Sequence, residues 1–204
     1  GWSVAAASPE RLVKLEQGED RTRRIKGTRK RGWSEEEDLR LREQMVSSEK
    51  EVSEHLMLVD LERHDLSKVC KPGTVHWSGW RIEALSNVQH LVSGVEGELA
   101  SGFTTSEVTS LMFPGGSVTG CPKTVTIAAI DELEESPRGA WTGSIGHIHR
   151  GHGIADWNIL IRTLEAHSGP ENWHGTVQAG GGIVIGSSPA EEVEEARWKA
   201  AAVT

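Results

Sequence analysis

The sequence predicts an α+β fold. Segments rich in β-branched and aromatic residues read as strands, capping signatures and apolar stripes mark helices, and the two kinds of element do not alternate strictly. Strict alternation would have pointed to a Rossmann-type parallel sheet. At 204 residues, with 36% hydrophobic and 25% charged residues, the chain has a globular composition. Its length suits one domain with a core, or part of a larger one.

Residues Trp2 to Ala7 read as a strand with no cap or turn before it, an abrupt start expected of a chain whose earlier half is absent. Glu36 to Val46 predicts a helix. Ser48-Glu49-Lys50-Glu51 resembles a capping box opening a second one, with Val52, Leu56 and Val59 on an apolar stripe and an end near Arg63. Thr74 to Trp80 and Ile82 to Val95 read as strands. Phe113 to Lys123 is a Gly/Pro loop, and Pro122 lies where the first turn of a helix over Thr124–Glu135 starts. Trp141 to His149, Asn158 to Glu165 and Val177 to Ile185 alternate like strands, with Gly143 and Gly146 marking bends or close approach. Ser188-Pro189-Ala190-Glu191 is a capping box with proline in the first turn, and it opens the last helix. No repeat, low-complexity tract or long linker divides the chain.

Charge narrows the function. The net charge of −8 argues against a general nucleic-acid binder, yet residues 21–31 hold seven Lys or Arg. A local cationic stretch in an acidic chain suits a small anionic substrate better than a polyanion. Within it, Lys26 is ringed by like charges that disfavour its protonated form, and Gly27-Thr28 offer bare backbone and a hydroxyl to an anion. The competing reading is a solvated basic loop or a nucleic-acid patch. The two cysteines, Cys70 and Cys121, form no disulfide framework or CxxC pair, so a reducing cytosol is expected. No run is long enough to span a bilayer as a helix. Tyrosine is absent, whereas tryptophan occurs eight times.

Several side chains could carry chemistry. Glu51 and Glu54 are three apart on a predicted helix, and Glu192 and Glu195 repeat the spacing on the last one. Two such helices facing each other would offer Mg²⁺ the carboxylates it favours; otherwise the pairs are solvated surface. The loop Pro114–Lys123 precedes a helix N-terminus, where backbone N–H groups can meet an anion, but Cys121 stands where a phosphate-binding loop would have its lysine. Gly180-Gly181-Gly182 either lets a chain or ligand approach the backbone or marks a bulge. Arg162, at the far end of an apolar strand, either pairs with a buried acid or clamps a carboxylate. His147, His149 and His152 invite zinc, but no further well-spaced ligand completes the set. His90 alone reads as a core histidine or a catalytic one.

Ser8-Pro9-Glu10-Arg11, Ile25 to Arg29, Glu54 to Leu61, the segment around His90, Pro114 to Lys123, Thr142 to Gly146, Asn158 to Thr163 and the glycine run with its final helix occur in this order over nearly the whole chain. Together they resemble the chorismate-utilising family, which includes anthranilate synthase and aminodeoxychorismate synthase component I. The resemblance implies two packed antiparallel β-sheets flanked by helices, incomplete here. Residues 1–204 would be the C-terminal portion of one catalytic domain whose N-terminal half is absent. It implies that Lys26, where anthranilate synthases typically have alanine, attacks chorismate, with Glu10 as general acid and His90 near the ring. Glu54 and Glu195 would hold Mg²⁺, supported by Glu51 and Glu192. Gly27, Thr28, Ser117, Arg162 and Gly180, Gly181 and Gly182 would contact the substrate carboxylates. Trp141 stands where the family has a substrate-binding tyrosine, and an indole lacks the phenolic oxygen acceptor. Arg24 and Lys30 replace prolines, and His64, Ala196 and Trp198 also depart from the pattern.

The implied activity is aminodeoxychorismate synthesis in the cytoplasm, with ammonia from a glutamine amidotransferase and with no nucleic-acid or membrane partner. Anthranilate synthesis and an inactive fragment are the alternatives.

Overall fold

The computed structural model describes residues 1–16, 19–47, 49–84, 88–149, 153–201 and 203; within these, the side chains of 19–30, 45, 46, 49–51, 54 and 88–91 lie outside the description. The chain runs β1 (Trp2–Ala6), β2 (Arg11–Glu16), β3 (Glu19–Lys30), α1 (Glu35–Ser47), α2 (Glu49–Leu66), β4 (His76–Ala84), β5 (Val88–Glu98) and α3 (Thr105–Met112). It continues through α4 (Gly116–Thr119), α5 (Lys123–Leu133), β6 (Ser144–His149), β7 (Ile154–Ile159), β8 (Thr163–Ser168), β9 (Trp173–Val177) and α6 (Pro189–Ala201). Among the described residues the strands form two antiparallel sheets, one of six strands in the order β4-β5-β3-β2-β7-β6 and one of three in the order β1-β8-β9. The α+β class and the antiparallel sheets with helices are as expected.

The two sheets share a pair of chains. β1 pairs with β8, and the same two chains continue as β2 paired with β7 in the larger sheet. The step lies at Ser8-Pro9-Glu10 on one chain and at Leu160-Ile161-Arg162 on the other. It is tied by Ala7 N–H donating to Arg162 O at 3.1 Å and Ile159 N–H donating to Glu10 O at 3.0 Å. Asn158 to Glu165, expected as one strand, is therefore two strands in different sheets. The apolar run Ile159-Leu160-Ile161 hides the break, which is made by Arg162 at φ 49°, a left-handed conformation uncommon outside glycine.

The core lies on the larger sheet. Leu12, Val13 and Leu15 of β2, Val95 of β5, and Ala155 and Ile159 of β7 pack with Val59 and Leu66 of α2 and with Val108 and Met112 of α3. Of the apolar stripe expected on α2, Val59 is buried and Val52 half-buried, but Leu56 is exposed and His55 takes the inward position; Glu62, Asp65 and Leu66 continue the buried face. That helix also runs one turn beyond Arg63, because Leu66 is fully buried at its end. α3 opens with a capping box, Thr104 Oγ1 accepting from Glu107 N while the Glu107 carboxylate accepts from Thr104 N.

Other expectations need correction. The basic run 21–31 is not a loop: residues up to Lys30 form β3, held between β2 and β5. Ile82 to Ala84 belong to the earlier strand of their pair, β4. The loop Phe113–Lys123 contains the single helical turn α4, and Pro122 caps α5 from outside. Trp141 to Gly143 form a turn before β6, with Thr142 at φ 63°. Val177 to Ile185 is not a strand. Pairing ends at Val177, where the glycine run begins and supplies no side chains for a sheet face. Ser48, assigned to the cap of α2, and His152, a candidate zinc ligand, lie outside the described residues.

Candidate functional site

Three groups of side chains occupy linked parts of the fold. The first is set by strand register. β3 pairs with β5 so that Ile25 faces Val92 and Thr28 faces His90, with a register shift between them that falls on Lys26 and Gly27. A bulge of this kind re-aims a side chain relative to the regular pleat. The strand register thus sets Thr28 opposite His90, with Lys26 and Gly27 at the shift; the side chains of Lys26, Thr28 and His90 lie outside the described residues.

The second group sits at the step between the sheets. Ser8 Oγ accepts from Glu10 N at 3.2 Å, a short hydroxyl turn that fixes the chain as it enters β2. The half-buried Glu10 Oε2 accepts a hydrogen bond from Ser117 Oγ at 3.4 Å. Ser117 reaches it because α4 is pressed onto the core: a Cβ on Gly115 would lie 2.9 Å from Ile159 Cδ1, and one on Gly116 would lie 3.2 Å from Asp65 Oδ2. Asp65 is buried against Lys123 Nζ at 2.9 Å and Lys68 Nζ at 3.0 Å, and Lys123 also donates to Met112 O. This network fixes the start of α5 beside the loop. Arg162 is exposed, so of the two roles its position allowed it does not pair with a buried acid among the described residues.

The third group is the glycine run and α6. A Cβ on Gly181 would lie 2.8 Å from Glu192 Oε2 and 4.0 Å from Glu195 Oε1, so both carboxylates approach this backbone. Glu192 Oε1 accepts from Ser187 Oγ at 2.7 Å. A Cβ on Gly180 would lie 3.1 Å from Trp141 Cη2, so the indole closes on bare backbone at this point. Gly182 has no such neighbour.

Two residues that the sequence reading passed over bind these groups together. Arg138 donates to Val118 O at 2.8 Å and to Thr142 Oγ1, pairs with Glu134, and lies 5.0 Å from the Trp141 ring centroid. It joins the α4 loop to the Trp141 turn, and its pairing holds the Glu134 carboxyl below the usual range. Lys199 Nζ lies 2.6 Å from Glu195 Oε1 and donates to Gly180 O at 3.1 Å. The Glu-to-Lys spacing of four on one helix was a usable signal for it.

The implied Mg²⁺ can be tested against the donor set. Glu192 and Glu195 supply hard carboxylate oxygens beside a backbone stripped of side chains, which fits an ion that takes one or two carboxylates plus water and an anionic substrate. Glu51 and Glu54 stand three apart on α2, but their side chains lie outside the described residues. Among the described residues no group of three or more His, Cys, Asp or Glu could hold a metal ion. His147 and His149 are exposed on alternate positions of β6.

The bare backbone at Gly180 to Gly182, the exposed Arg162 at the step between the sheets and the basic strand β3 lie on the segments whose order along the chain resembled a known family. The chain belongs to the chorismate-binding enzymes, whose family model matches residues 1–204. It is 47% identical over 201 residues to anthranilate synthase component 1 of Aquifex aeolicus, covering 98% of this chain and 40% of that protein. It is 42% identical over 203 residues to aminodeoxychorismate synthase component 1 of Bacillus subtilis, covering 99% of this chain and 42% of that protein. The crystal structure of anthranilate synthase component I from Streptococcus pneumoniae superposes with a TM-score of 0.81 at 33% identity, over 99% of this chain and 43% of that one. The chain thus spans about two fifths of the length of these relatives. Among the described residues no helix is long and apolar enough to cross a membrane.

Proposed function

We propose that this chain carries the reactive residues of an aminodeoxychorismate synthase, with Lys26 as the nucleophile. The observation that carries the proposal is a lysine at the register shift of β3, at the position where anthranilate synthases of the family typically have alanine. The free Lys26 amine adds at ring C2 of chorismate, the ring double bonds shift, and the C4 hydroxyl leaves as water with a proton from Glu10. Ammonia then adds at C4, the electrons return, and the lysine amine is expelled from C2. The net change is chorismate plus ammonia to 4-amino-4-deoxychorismate plus water. Ser117, by donating to Glu10, fixes the acid at the sheet step, while Arg162, Gly27, Thr28 and Gly180 to Gly182 receive the carboxylates. His90, paired with Thr28 across the two strands, is the residue we assign to the neighbourhood of the ring.

Glu192 and Glu195, with Glu51 and Glu54, are the residues that would hold Mg²⁺, which when bound would offset the charge of a substrate carboxylate. Ammonia is expected from a glutamine amidotransferase partner, and the cytoplasm is the expected compartment; Cys70 and Cys121 form no disulfide.

Anthranilate synthesis is the second reading, supported by the 47% identity to the Aquifex aeolicus protein. Incubation with chorismate, ammonium and Mg²⁺, followed by mass spectrometry of protein and products, separates the two. We expect aminodeoxychorismate, and its loss in Lys26→Ala unless ammonia is in excess. Anthranilate as product, or an alanine variant equal to the parent, removes Lys26 from this role.

A further inference from the structure

We propose that Glu165 is a positioning residue for this site, acting through the turn that carries Trp141; the inference rests on the chorismate reading above. Glu165 stands on β8, the middle strand of the smaller sheet, with its side chain 19% exposed. One carboxylate oxygen accepts from Ala140 N at 2.8 Å; the other accepts from Trp2 Nε1 at 2.7 Å and lies 3.0 Å from His167 Nε2. Gly139 makes the approach possible. Its φ is 58°, and a Cβ there would stand 2.6 Å from Glu165 Oε2, so residue 139 has to be bare for the carboxylate to reach the next N–H.

The turn so gripped has Trp141 one residue beyond the bonded amide. Its other side is held by Gln178, whose amide donates to Arg138 O at 3.1 Å and which lies two residues before Gly180. The indole therefore rests on Gly180 between two clamps, one from β8 and one from the segment leading into the glycine run. Among the described contacts of the Glu165 carboxylate, the one that leads to the site is that with Ala140 N, one residue before Trp141. Its hydrogen bonds, that from Ala140 N foremost and that from Trp2 next, hold its carboxyl below the usual glutamate range, so it is an ionised acceptor at neutral pH. A side chain this close to the surface supports little of the core, so its removal should be felt locally.

The test uses this chain and the variants Glu165→Ala, Glu165→Gln, Trp2→Phe, Trp141→Ala and Glu165→Ala/Trp141→Ala. Amide exchange at Ala140 and the Trp141 indole resonance report the clamp without any ligand, and calorimetry with chorismate and Mg²⁺ reports the site. Loss of a hydrogen bond to an ionised acceptor predicts that Glu165→Ala exchanges its Ala140 amide about tenfold faster and binds chorismate roughly three- to tenfold more weakly. Glu165→Gln keeps an oxygen for Ala140 N–H and gives up the Trp2 bond, so it should restore both readings. Trp2→Phe should leave both unchanged. In the double variant the two affinity losses should not add, because both act through the same indole. Unchanged Ala140 exchange and an unmoved Trp141 indole in Glu165→Ala overturn the proposal, as do additive losses. A parent that binds no chorismate sinks the reading of the site instead, and the two ligand-free measurements still decide the clamp.

Discussion

In β2, Leu12, Val13 and Leu15 are all 2% exposed or less, whereas β1, reached by the same chain a few residues earlier, leaves Trp2 62% exposed and has no buried residue. The contrast extends to the helices. α2 and α3 bury side chains against the larger sheet, while α5 and α6 bury none and leave Leu133, Val193 and Trp198 in solvent. Core and candidate site are thus divided. Glu10 and Ser117 are built onto the packed sheet, but Trp141, the glycine run, Glu192 and Glu195 belong to the lightly packed part. Cooperative stability should come from the first region, and the second should be adjustable without unfolding the protein.

Two changes on the larger sheet, one in the core and one at the edge strand β6, should break the first region and set the upper end of the scale. Leu66→Ala removes a fully buried side chain between α2 and the sheet and should cost roughly 2–5 kcal/mol in chemical denaturation, because the cavity cannot fully collapse. Gly146→Ala should cost about 1–3 kcal/mol: its Cβ would stand 2.2 Å from Asp156 O and 2.8 Å from Trp157 Cα, both backbone atoms of the paired strand β7. A loss below about 0.5 kcal/mol in either variant, the size of an ordinary surface substitution, would refute this division of the fold.

Acid should loosen the second region through Glu165. Its carboxyl titrates below the ordinary glutamate value of about 4.3, because the folded state presents it with N–H donors. Its contribution to stability is therefore complete above that value and is lost as pH falls through the lower, folded value. The Ala140 amide and Trp141 indole resonances should stay constant from neutrality to about pH 5 and move together below about pH 4. Movement of the pair near pH 6 would mean that another group controls the turn.

How much of this was legible depended on how local each signal was. The helix-start signals read at Ser188 and at the proline before α5 are local to a single turn, and α6 and α5 start within a residue or so of them. Thr104-Thr105-Ser106-Glu107 carried the same signal for α3 and was passed over. The strand β3 was invisible for a different reason: residues 21–31 have no apolar alternation, and only pairing with β2 and β5 holds them extended. The break at Arg162 is also non-local, since it answers to the partner chain at Ser8 to Glu10. In the site, ordered motifs brought out Glu10, Ser117, Arg162 and the glycine run. Arg138 went unnoticed because its role lies in the Val118 carbonyl and Trp141 ring it meets in space.

The smallest effect on stability should come from Gly181→Ala, and it sharpens the comparison because the same substitution is costly at Gly146. The Cβ at position 181 would also be crowded, at 2.8 Å, but by Glu192 Oε2, the end of a rotatable side chain. The carboxylate can swing aside where a strand cannot, and the backbone of Gly181 lies outside the left-handed region, so alanine adds no strain of that kind. Alanine also narrows the unfolded ensemble, an effect of about 0.4–1 kcal/mol in the opposite direction, so the net change in stability should lie within roughly 0.5 kcal/mol. The displaced carboxylate is nevertheless one of the four that would receive Mg²⁺, so Mg²⁺ affinity by calorimetry should fall several-fold while the melting temperature holds. Equal Mg²⁺ affinity in parent and variant would detach Glu192 from metal binding; a large drop in melting temperature would show that the glycine run is packed as tightly as β6 and β7.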